Sequence, residues 1–111
     1  MGQSGPMDDL NALADEHVTA AHADPHGRSA HLLVHEDCLR QSIIALTAGT
    51  RLDEHNAPPA ASLQVLRGVV LITTVSGDTE LRSGQLHPVP QERHGLLAVE
   101  DAAVLLTAVN D

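Results

Sequence analysis

The chain has 111 residues, 42% of them hydrophobic, which is enough for one compact core and leaves no length for a second. Its formal net charge is −9, from 15 acidic residues against six arginines and no lysine, a balance that repels phosphate backbones and anionic lipid and so argues against nucleic acid and membrane partners. There is no Phe, Tyr or Trp, which removes any base-stacking platform and leaves a core of Leu, Val, Ile and Ala.

Residues 1–7 are set aside as a leader or an added remnant, because Met7 is a second start after Met1-Gly2-Gln3-Ser4-Gly5-Pro6. From Asp8 to Asp24 the pattern is helical. Leu10, Leu13, Ala14, His17, Val18 and Ala21 recur at spacings of three and four and share one face, with His17 and His22 on or beside it. Asp8 and Asp9 favour the start and Asp24-Pro25 stops it. The stripe is narrow and alanine-rich, so the helix needs a surface to lean on.

Residues 26–111 change to runs of strand length. Ala30–His35, Leu39–Leu46, Thr50–His55, Ser62–Arg67, Val69–Val75, Glu80–Arg82, Gln85–Val89, Gly95–Val99 and Val104–Val109 read as strands between turn signals. Such strands without intervening helices predict an antiparallel sandwich or barrel. Gly68, isolated in an apolar run, marks a bend where one strand hands over to the next. His31 and His35 fall on one face of the first strand, too far apart to chelate one ion, and read as surface residues. Cys38 is the single cysteine, so no intrachain disulfide forms, and its place in a turn gives it a structural reading. With no membrane-length apolar run, the expected location is cytoplasmic.

The spacing from Gly49 onward carries a family resemblance. Gly49 to Asn56 leads through Ala57 and Ser62 to Gly68, and Gly84-Gln85-Leu86-His87-Pro88-Val89-Pro90-Gln91-Glu92-Arg93-His94 follows the next hairpin. This resembles the cupin superfamily, whose first motif is G-x5-H-x-H-x3,4-E-x6-G and whose second is G-x5-P-x-G-x2-H-x3-N. Gly49, His55, Gly68, Gly84, Pro90 and His94 are the residues matched to them, and the likeness spans residues 39 to 109. It implies an all-β fold, a double-stranded β-helix or jelly-roll barrel, with the one N-terminal α-helix packed outside it. It also implies a homodimer, and since exposed edges need covering, the alanine-rich helix stripe and the expected edge strands Ala30–His35 and Leu39–Leu46 are the contact surfaces.

A metal-bearing cupin supplies His, His and Glu from the first motif and His from the second. Here Ala57 and Ala61 hold two of those four positions, leaving His55 and His94. Two designs stay open. In one, a pocket near His55 and His94, with His87 and Arg51 as further ligand contacts, holds a small polar molecule without metal. In the other, His55 and His94 recruit His87, Glu54 or Glu92 and bind one divalent transition metal in a dioxygenase- or isomerase-like enzyme. His87 serves either design only if Val89, two residues on along the same strand, also points inward.

Overall fold

The structure is a computed structural model that describes residues 7–55 and 57–110, with Glu54 and His55 as backbone alone. The expected leader lies outside the described residues, apart from an exposed Met7. Helix α1 runs Leu10–Ala23. Asp9 caps it: its Oδ1 accepts the N–H groups of Asn11 at 3.0 Å and Ala12 at 3.3 Å, two of the donors that a first helical turn leaves unpaired. Asp24 ends it and turns its carboxylate to the N–H groups of His26 and Arg28, which hold its pKa below the ordinary value.

Nine strands follow among the described residues: β1 Arg28–Glu36, β2 Leu39–Leu46, β3 Arg51–His55, β4 Ala60–Arg67, β5 Val69–Thr74, β6 Gly77–Arg82, β7 Leu86–Pro88, β8 His94–Ala98 and β9 Ala102–Val109. They form two antiparallel sheets, ordered β1-β2-β9-β4-β7 and β3-β8-β5-β6. The inner faces share one core, in which Leu46, Val65, Val70, Ile72, Ala98 and Val104 are fully buried or nearly so. Gly68 sits where the chain leaves β4 for β5 in the other sheet, at φ +80°. A Cβ there would collide with the Asp101 carbonyl oxygen and lie 3.0 Å from Ala102 Cα, so the position needs glycine for space and conformation alike.

Period-two alternation sends Ile44 and Leu46 of β2 inward and turns Ile43 and Ala45 outward. Ile43, Ala45 and Ala103 meet Ala14 and Ala21 of α1, and these small side chains let the helix sit close on the five-stranded sheet. An ion pair between Arg67 and Asp15 ties the helix to β4. The helix stripe is therefore covered within the chain and is not a free contact surface.

Three further expectations change. Leu39–Leu46 is not an edge strand, since β2 lies between β1 and β9. A bulge between Leu32 and Val34 breaks the alternation of β1, so His31 pairs with Ile43 on the helix side and His35 with Arg40 on the other. The His31 ring stacks on His17 of α1, with centroids 6.3 Å apart. Finally, His22 is exposed and bonded to Asp101 rather than lying on the buried stripe. Among the described residues, no helix is long and apolar enough to cross a membrane.

Candidate functional site

The two ends of the barrel interior differ. Around Leu46, Val65, Val70, Ala98 and Val104 the sheets fill the space between them. Toward the other end they leave a cavity of about 230 Å³, lined by Ile44, Leu63 and Leu106 from one sheet, Leu52, Ile72, His94, Gly95 and Leu96 from the other, and Val89. Every lining side chain but one is aliphatic. The exception is His94, 7% exposed at the start of β8.

The local chain fixes His94. Residues 89–93 form a bent connection between β7 and β8, in which Pro90, following Pro88 at the end of β7, restricts the backbone. The ring donates its Nδ1–H to the Glu92 carbonyl at 3.1 Å. A neutral ring held that way carries its lone pair on Nε2 and acts there as an acceptor. Across the ladders, His94 pairs with His55 of β3 and Thr74 of β5. Counted strictly from Gly84 and Pro90, the second motif would put its histidine at 95, where Gly95 stands. The bent connection takes up the difference of one residue and leaves His94 in line with Leu96 on the cavity face.

The other expected site residues divide. The His55 side chain lies outside the described residues, and its place rests on register. Leu52 pairs with Leu96 and His55 with His94, so β3 carries one residue more than β8 over that interval, and this bulge sets His55 rather than Glu54 opposite His94. His87 pairs with Leu63, a cavity residue, and Val89 lines the cavity, so the stated condition for an inward His87 is met. Its Nδ1 donates to the Pro88 carbonyl at 2.5 Å, and its ring is not part of the cavity lining. Arg51 is taken out of the site. It is exposed and pairs with Leu97, on the opposite face of the sheet from Leu52 and Leu96, because neighbouring strand residues alternate.

Sequence reasoning missed Thr74 and the aliphatic wall. Their signal was parity: Leu96 shares a face with His94 two residues earlier, but the partners across the sheet follow only from register. The described residues do not fit a catalytic metal. Among them no three His, Cys, Asp or Glu side chains converge, and the cavity offers His94 as its one ligating group.

At the filled end, the turns are tied by Asp101. Its Oδ1 accepts the Ala48 N–H at 2.8 Å and its Oδ2 bonds His22 Nε2 at 2.6 Å. The Ala48 N–H first, then His22, hold the Asp101 carboxyl below its ordinary range.

No protein-family model and no curated protein sequence matches the chain. Its architecture does match solved structures. A cupin superfamily protein from Desulfitobacterium hafniense superposes with a TM-score of 0.77 over 100% of this chain and 95% of that one, at 18% identity. A conserved protein of unknown function from Streptococcus pyogenes gives 0.72 over 100% and 91%, at 21% identity. A salicylate 1,2-dioxygenase from Pseudaminobacter salicylatoxidans gives 0.73 over 88% of this chain and 33% of that enzyme, at 18% identity. The chain is a small barrel of the cupin fold with one N-terminal helix. Enzymes and proteins of unknown function share that fold, so it does not by itself define an activity.

Proposed function

We propose that this chain is a small-molecule binding protein whose ligand has a compact apolar body and one polar head. The supporting observation is the cavity itself: about 230 Å³ of aliphatic wall with a single buried imidazole. At ~30 Å³ per water this is space for about eight waters, or for one ligand smaller than typical drug-sized molecules. Burying the body against Ile44, Leu52, Leu63, Ile72 and Leu106 supplies the affinity, and His94 orients the head. The polar ligand expected from the histidines and Arg51 changes accordingly, because strand alternation brings leucine and isoleucine inward and turns Arg51 out.

Titration calorimetry with 1-hexanol, hexanamide and hexane-1,6-diol tests this reading. The two molecules with an apolar tail are expected to bind, and the diol to bind at least tenfold more weakly. The His94→Leu variant keeps the volume apolar and loses about tenfold in affinity, the worth of one hydrogen bond. Binding that is indifferent to His94, or no binding by any of the three, would overturn it.

A second reading keeps a metal and rests on register, which sets His55 opposite His94 and His87 in the same row as Leu63. Elemental analysis of the protein purified without chelators decides it. A near-stoichiometric transition metal that disappears in the His55→Ala, His94→Ala variant would establish a metal centre and displace the first reading.

Self-association is also part of the proposal. Of the expected contact surfaces only β1 lies at a sheet edge, with Leu32 45% exposed. Sedimentation velocity of wild type and Leu32→Lys tests it, a dimer that dissociates in the variant being the expected result.

A further inference from the structure

Beside His94 two segments of the chain are joined by a side-chain contact that the sheet ladders do not require. β5 and β6 are joined by a tight turn, Val75-Ser76, followed by Gly77 at φ +139°. From that turn the Ser76 hydroxyl reaches both carboxylate oxygens of Glu92, at 2.9 and 3.1 Å. The turn is itself braced, since Thr74 donates its hydroxyl to the Gly77 carbonyl at 2.5 Å and stands 3.2 Å from Ser76 Oγ. Glu92 belongs to the bent connection before β8, and its backbone carbonyl is the group that receives Nδ1–H of His94. Thr74 is the register partner of His94, so turn and connection meet directly beside that ring.

We propose that Ser76 and Glu92 form a strap that fixes the tautomer of His94, and thereby the kind of head group the cavity accepts. Glu92 is a positioning residue. Its side chain is anchored by Ser76, and its carbonyl holds the proton on Nδ1. The other ring nitrogen is then an acceptor, so whatever partner meets it must donate. For a ligand this selects hydroxyl or N–H heads over ketones and esters of the same size. With the strap released, the carbonyl swings away, the proton is free to move to Nε2, and that preference is lost. The specificity statement rests on the binding reading above, whereas the tautomer statement does not.

Long-range ¹H–¹⁵N spectra of the His94 ring read the tautomer directly, recorded at increasing pH until the pattern of the neutral ring no longer changes. Wild type is expected to show the proton on Nδ1. Ser76→Ala and Glu92→Ala are expected to show a mixture, and Glu92→Gln, whose amide oxygen still accepts from Ser76, to keep the wild-type pattern. Both residues are exposed, so these variants are expected to fold, and thermal melts check that. In parallel, the affinity ratio of 1-hexanol to 2-hexanone is expected to fall from about tenfold in wild type to below about threefold in Ser76→Ala. A proton on Nε2 in wild type, or a tautomer unmoved by Ser76→Ala and Glu92→Ala, overturns the strap. A tautomer that moves as expected while neither probe binds supports the strap and overturns the binding reading.

Discussion

The two ends of this barrel are built from the same residue types by the same alternation, yet one is full and the other hollow. At the filled end Leu46, Val65, Val70, Ala98 and Val104 meet across the sheets, and the turns around Thr47–Thr50, Gly68 and Val99–Asp101 close over them. At the hollow end Ile44, Leu52, Leu63 and Leu106 line a cavity, and the proline-bent connection before β8 is joined to the β5–β6 turn by Ser76 and Glu92. One end spends its apolar surface on stability. The other leaves its surface for an occupant, which would stabilise the folded state in proportion to its own affinity.

Truncating one leucine at each end is the largest test of that contrast. Leu46 is 1% exposed and packed on all sides, so Leu46→Ala is expected to cost about 3 kcal/mol, within the range for cavity-forming substitutions. Leu52 already borders empty space and is half-buried, so Leu52→Ala is expected to cost about 1 kcal/mol while weakening ligand binding. Urea unfolding of both variants measures the pair. Equal losses would mean that the hollow end is as tightly built as the filled one.

Gly68→Ala strikes the filled end through the backbone. The added Cβ meets the Asp101 carbonyl, and a non-glycine residue at φ +80° is strained in any case. The expected cost is about 2 kcal/mol, since single strained positions cost ~1–3 kcal/mol and the turn must also shift. Ligand affinity at the far end is expected to stay within a factor of two. A loss of binding out of proportion to the loss of stability would show the two ends to be coupled.

The contrast also separates what the sequence could express from what it could not. Gly68 could be read because a glycine inside an apolar run has few other uses. The helix and strands could be read because their periods, 3.6 and two, are local properties. The hollow was not readable, since Ile44, Leu52 and Leu63 are chemically the same as their fully buried neighbours. Only register and the separation of the sheets distinguish them. The bulges in β1 and β3 were hidden for a related reason. One extra residue leaves the composition unchanged but moves His35 to the other face from His31 and sets His55 opposite His94. The histidines drew attention because their chemistry is conspicuous, and that emphasis made the pocket look more polar than it is.

The smallest expected effect is electrostatic and belongs to the filled end. Asp101 accepts the Ala48 N–H and bonds His22, so it links the turn after β2, the turn before β9 and the last turn of α1. The N–H of Ala48, then His22, hold its pKa below that of an ordinary aspartate. A carboxyl whose folded pKa is depressed contributes stability above its unfolded pKa and loses it as pH falls through the folded value. The stability difference between wild type and Asp101→Asn is therefore expected to shrink as pH falls below about 4, vanishing once the wild-type carboxyl is protonated. Because the pair is exposed, the difference is expected to be small and to diminish further in high salt. His94 opens β8 and Asp101 lies in the turn beyond its far end, so the substitution is expected to leave the His94 tautomer untouched. If the tautomer shifts with Asp101→Asn, the strand transmits strain from the filled end to the hollow one, and the two ends are not the independent halves that their packing describes.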